Sequence, residues 1–172
     1  RAQREEHQLT VRELVFLALC TAAMFVSQVA LSFLPNIELV SLLVIVYTHA
    51  FRRKVLYILY VFALLEGLLY GFTTWWLTYL YVWTILAGLA GAFRRMESPL
   101  GWAVLSGAFG LAFGALCELV YLPIIGPRAA LGAWVSGIPF DLAHCFGNFV
   151  AALALYRPLS RLMQRLTRSL AA

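Results

Sequence analysis

Charge is what this chain of 172 residues has least of. Charged residues make up 12% of it, about half the share usual in a soluble domain, while hydrophobic residues make up 63% and the mean hydropathy is +0.85. That scarcity excludes a disordered tail and a second soluble domain, and leaves one membrane domain filling nearly the whole chain. No soluble part follows the first apolar stretch, so that stretch does not read as a cleaved signal peptide. Cysteine is also scarce. Cys20, Cys117 and Cys145 fall inside apolar stretches, are odd in number and match no metal spacing, so buried free thiols are expected rather than disulfides or a zinc site. There is no G-x-x-x-x-G-K-[ST] loop for ATP hydrolysis, no H-E-x-x-H zinc helix and no G-x-S-x-G elbow. An enzyme, a resident cofactor and a bound metal are therefore not expected, and no inverted repeat of the secondary-transporter kind is visible.

What is there is a series of apolar runs. A helix needs roughly 20 apolar residues to cross the hydrocarbon core. Runs suited to spans extend from about Val11 to Phe33, Glu38 to Phe51, Val55 to Phe72, Trp75 to Phe93, Pro99 to Tyr121 and Leu131 to Tyr156. The expected fold is an all-α integral membrane bundle of six helices, with a basic tail over 157–172. The second run is short for a crossing. It must tilt, rely on snorkelling flanks, or lie where other helices shield it.

The net charge of +5 follows this layout better than it follows nucleic-acid binding. Arg1, Arg4 and Arg12 precede the first run. Arg52, Arg53 and Lys54 separate the second from the third, Arg94 and Arg95 the fourth from the fifth, and Arg157, Arg161, Arg165 and Arg168 follow the sixth. Of the thirteen Lys and Arg, only Arg128 falls on the other side. Loops rich in Lys and Arg stay cytoplasmic, so both termini are expected inside. In the tail, Arg161, Arg165 and Arg168 recur at helical spacing opposite Leu162, Met163 and Leu166, as in a helix end that meets anionic headgroups.

Between membrane helices, close packing of small residues replaces the hydrophobic drive. Gly107, Gly110 and Gly114 in the fifth run, and Ala87/Gly91 and Gly88/Ala92 in the fourth, read as internal packing faces. For Ala18 and Ala22 in the first run, internal packing and a docking face for a partner compete.

Ionisable groups in hydrocarbon cost roughly 2.5–3.5 kcal/mol each and usually face a cavity or a partner. At 1.5 Å per residue, Glu66 lies about 17 Å from the inner end of its span and Asp141 about 15 Å from the outer end of its own. Glu38, Glu118 and Asn36 fall toward the outer side. Trp76, Tyr79 and Trp83 share one helical face there. Asp141, His144 and Asn148 share another. Two readings fit these groups. One is an outward pocket with aromatic walls and acidic polar groups, suited to a small flat ligand with an amine, since ring faces and carboxylates both attract cations. The other is an interfacial aromatic belt plus an interhelical hydrogen-bond lock; for the deeper Asn148 the lock is preferred.

Several of these stretches resemble the S component of an energy-coupling factor (ECF) vitamin transporter. Ala18-Leu19-Cys20-Thr21-Ala22 is similar to that family's A-x-x-x-A docking motif. Trp134 through His144, Gly147-Asn148-Phe149 and the Tyr156-Arg157-Pro158-Leu159 exit are similar to its last span. The resemblance covers nearly the whole chain. It implies a multi-pass subunit of a bacterial or archaeal cytoplasmic membrane that captures one vitamin-like nutrient from outside. Transport would need a membrane T component, approached through Ala18 and Ala22, and two cytoplasmic ATPases. It also implies a pocket in the outer half built by spans four to six and the loops after spans one, three and five, with Leu34-Pro35-Asn36 and Gly71–Thr74 as lid segments. The candidate site residues are then Glu66, Trp76, Tyr79, Trp83, Glu118, Asp141, His144, Asn36 and Glu38. A self-sufficient small transporter or ion-coupled channel using Glu66 and Asp141, and an intramembrane enzyme, are the competing classes. An amine-bearing heteroaromatic fits the acids and rings best, and the residues do not single out one nutrient.

Overall fold

The computed structural model describes residues 9–171 and is helical throughout, with no strand among them. Arg1 and Arg4, two of the arginines used for topology, lie outside the described residues. Helix α1 (Val11–Leu31) begins with a capping box: Thr10 Oγ1 accepts the Glu13 N–H at 3.2 Å and Glu13 Oε2 accepts the Thr10 N–H at 3.1 Å. After the loop 32–39 comes α2 (Val40–Phe51). It turns at Arg52, in the left-handed region with φ 53°, through one tight turn (Arg52–Lys54) into α3 (Val55–Tyr70). Gly71 ends α3 at φ 93°, a conformation that costs glycine nothing. Then follow α4 (Thr74–Tyr79), α5 (Val82–Ala92), α6 (Pro99–Glu118), α7 (Leu122–Ile125) and α8 (Pro127–Ala171).

Among the described residues four stretches are long and apolar enough to cross a membrane: Val11–Leu31, Thr74–Ala92, Pro99–Ile125 and Pro127–Ser169. Helices α2 and α3, at 12 and 16 residues, are shorter than a full crossing. Yet α2 is the most enclosed helix of the bundle. Every residue from Val40 to Thr48 except Leu43 is buried, because α2 lies between α8 and α5 and also touches α1 and α3.

Two boundaries differ from expectation. The stretch 75–93 is not one helix. At Leu80 and Tyr81 the bonds tighten to Leu77 and Thr78 carbonyls three residues back, and the Tyr81 hydroxyl donates to the Leu116 carbonyl of α6 at 2.6 Å. The stretch after Pro158 is not a separate tail. Helix α8 continues through it, held by the Tyr156 ring stacked on Trp102 at 5.6 Å and by Met163, which is buried in the core.

The tightest seam joins α6 to α8. A Cβ on Gly110 would stand 2.8 Å from the His144 carbonyl, and one on Gly114 would overlap the Asp141 carboxylate. On Gly107 it would stand 3.2 Å from the Cys145 carbonyl. Here glycine does the packing, as expected for this helix. Helix α5 corrects the matching expectation. It packs chiefly against α2, and its buried residues are Val82, Trp83, Leu86, Ala87 and Ala90, whereas Gly88 and Gly91 face outward, with no neighbouring atom within 4 Å of where a Cβ would be. The three cysteines are unpaired, Cys20 buried and the other two half-buried.

Candidate functional site

At the end of the bundle opposite Arg52, Arg53 and Arg94 lies a cavity of about 530 Å³. That volume is within the range of small-molecule sites. One side is the end of α1 and the following loop: Gln28, Leu31, Ser32, Leu34, Pro35, Asn36, Ile37 and Glu38. The other is built by Glu66 and Tyr70 of α3, Trp75 and Tyr79 of α4, Trp83 of α5, Phe113 of α6 and His144 of α8. Glu66, Trp83, His144, Tyr79 and Glu38 are buried. Leu34, Tyr70 and Trp75 are exposed and form the mouth.

The rings form a continuous wall. Trp75 lies 4.5 Å from Tyr79 between centroids, Tyr79 5.5 Å from Trp83, Trp83 5.5 Å from Phe113, and Phe113 4.7 Å from His144. Phe62 stacks behind Tyr79 at 5.9 Å. The wall is stiff because each ring is held edge-on or tilted by the next, the arrangement aromatic quadrupoles favour.

The polar groups divide into satisfied and unsatisfied. Glu38 Oε2 accepts the Ser41 N–H at 2.9 Å near the start of α2, and Oε1 accepts the Ser41 hydroxyl and meets His144 Nε2 at 3.0 Å. Asn148 extends this network: its Nδ2 donates to Ser41 Oγ at 2.9 Å and to the Ser106 carbonyl at 3.4 Å, tying α8 to α2 and α6. Asn36, at φ 57°, donates to the Phe140 carbonyl at 3.0 Å, while Ile37 packs against Gly147. The loop 32–39 is thereby fastened to α8. Asn is among the few residues that tolerate that backbone region.

Glu66 is the exception. Its side chain is fully buried and neither carboxylate oxygen has a hydrogen-bond partner among the described residues. Three other lining residues also carry buried unpartnered atoms: Gln28 Oε1, Trp83 Nε1 and His144 Nδ1. Buried polar atoms are nearly always bonded, so four such residues around one cavity set it apart from a fully satisfied polar network.

Six of the nine candidate residues line this cavity: Glu66, Tyr79, Trp83, His144, Asn36 and Glu38. Three do not. The Trp76 indole donates to the Ala63 carbonyl at 2.7 Å and clips α4 to α3. Asp141 accepts the Gly114 N–H at 2.9 Å in the α6–α8 seam. Glu118 lines a separate groove with Leu122 and Trp134. Of the two expected lid segments, Leu34-Pro35-Asn36 borders the cavity, and Gly71–Thr74 does not. Gln28, Tyr70, Trp75 and Phe113 were not among the candidates. A glutamine in the last two turns of an apolar helix was a signal for the first. Nothing local distinguishes Phe113 from the other phenylalanines. Among the described residues no group of His, Cys, Asp and Glu is arranged to hold a metal.

No family model, no curated protein and no solved structure matches this chain.

Proposed function

We propose that the chain is the substrate-binding membrane subunit of an ECF-type importer, capturing a small vitamin-like nutrient in the aromatic cavity. The observation that carries this reading is Glu66. A carboxylate taken from water without a partner is strongly penalised, and an aromatic-walled cavity beside it suits a flat ligand whose protonated nitrogen replaces the missing donors. Trp83 Nε1 adds a donor for an acceptor on the same ligand. In this reading all six apolar runs lie in the membrane, α2 and α3 shielded by their neighbours. Both termini and the arginine-rich turns face the cytoplasm, and the cavity opens outward.

The first helix supports the partner half of the reading. Its buried side (Leu17, Cys20, Thr21 and Met24) meets the bundle, while Ala18 and Ala22 are exposed on the opposite side, next to Leu19 and Val26. A small-residue face left outward suits the close approach of another helix, here the T component that works with two ATPases.

Thermal unfolding of the purified chain against a panel of vitamins and amino acids tests the binding claim. A true ligand at a hundred times its dissociation constant adds about 2.7 kcal/mol of stability without ATP. A broad panel with no shift overturns the reading. Ala18→Trp is expected to stop uptake and leave binding intact. Loss of binding instead would assign α1 to the pocket alone.

A further inference from the structure

At the arginine end of the bundle a second cavity, of about 660 Å³, runs between α3 and α5. One end is lined by Arg52, Arg53 and Arg94; Thr48, His49 and Thr84 add polar groups, and the remainder is apolar or small, among it Leu56, Gly88 and Gly91. No acidic residue lines it. Lys54, the neighbouring cation, is already paired with Glu13 at 2.6 Å, whereas none of the three arginines has an ion-pair partner among the described residues. Above Gly88 and Gly91 no protein atom lies within 4 Å of a Cβ position, so α5 presents a shallow trough rather than a packed face. The trough is therefore amphipathic: three cations at one end and a mainly apolar surface over Leu56, Ala87, Gly88 and Gly91 beyond them.

We infer that this trough binds one anionic phospholipid, its phosphate among Arg52, Arg53 and Arg94 and an acyl chain laid over Gly88 and Gly91. Guanidinium groups match phosphate oxygens in pairs. Basic pockets between membrane helices on the cytoplasmic side are suited to lipid headgroups. A linear chain also fits where glycines leave no side chain, whereas an isolated inorganic anion has no use for the apolar part. The inference rests on the membrane half of the proposed function and is independent of the nutrient cavity at the other end.

The test uses the full chain reconstituted in nanodiscs of phosphatidylcholine alone or mixed with phosphatidylglycerol, followed by native mass spectrometry of retained lipid. Wild type is expected to hold one phosphatidylglycerol in preference to phosphatidylcholine. With about a fivefold contribution per surface arginine, Arg52→Ala with Arg94→Ala weakens retention roughly twenty-five-fold. Gly88→Leu with Gly91→Leu fills the trough, leaves every charge in place, and is also expected to lose the lipid. Because both glycines face open space, that variant should melt like wild type. Equal retention of the two lipids overturns the site, as does full retention by the double leucine variant or displacement of the lipid by inorganic phosphate. So does unchanged lipid retention with lost uptake in the leucine variant, which would assign the trough to a partner protein. A nutrient-induced thermal shift that persists when lipid retention fails sinks this site alone. Failure of the chain to enter nanodiscs sinks the membrane reading itself.

Discussion

Asp141 and Glu66 are both buried acids in apolar helices, and the bundle treats them in opposite ways. Asp141 sits in the α6–α8 seam, where glycines let two backbones meet and a main-chain N–H is aimed at its Oδ1. Glu66 sits beside a cavity, among rings, with no donor for either oxygen. The first acid ties helices together. The second bonds to nothing among the described residues. Both are buried carboxylates; Asp141 has one backbone donor, with its Oδ2 left unpartnered, whereas Glu66 has none among the described residues.

The sharpest test of that contrast is the network next to the cavity. Glu38→Ala leaves Ser41 and His144 without their shared acceptor and is expected to cost about 3–5 kcal/mol of stability, the scale for breaking one partner of a buried pair. Thermal or denaturant unfolding in detergent checks it, and a loss near zero would make the network ornamental. Glu66→Gln should do the reverse. Stability stays level or rises, because an unpartnered carboxylate is removed. Affinity for a cationic ligand falls by about 1.5–3 kcal/mol, the worth of a hydrogen bond to a charged group. A Glu66→Gln protein that unfolds easily and binds normally would exchange the roles assigned here.

Smaller effects probe the packing. Gly110→Ala pushes a methyl group against the His144 backbone and should cost about 1–3 kcal/mol. The same change at Gly88, in open space, should leave stability unchanged or raise it by up to about 1 kcal/mol. Equal melting of the two variants would remove the distinction between the seam and the trough. The smallest effect belongs to Lys54→Ala, which breaks a half-exposed ion pair with Glu13 and should cost under about 1 kcal/mol.

Much of this was legible in the residues. Hydropathy marks the four long apolar stretches, and the G-x-x-x-G of α6 marks a close helix approach that Gly110 and Gly114 make with α8. The helical offsets of Tyr79 and Trp83 put both rings on one face, and both reach the cavity. The same offsets grouped Trp76 with them, yet its indole turns to the Ala63 carbonyl, because a periodicity gives a face and not the neighbour opposite it. Asp141, His144 and Asn148 share a helical face in the same way. Three different neighbours then give them three fates: Gly114, the Glu38 edge of the cavity, and Ser41 with Ser106. The outward face of α5 was misread for the same reason, since small residues four apart look alike whether or not a helix lies against them.

The sequence alone determined that the chain is a bundle of apolar helices, where its basic residues cluster, and which few polar groups are buried at a cost. Those properties depend on each residue's own transfer energy and on helical spacing, which are local. Only the tertiary structure decided which buried groups are satisfied and which face a hollow, because a hydrogen bond needs a donor at the right place. At Glu66 and Asp141 that place is set by helices distant in sequence.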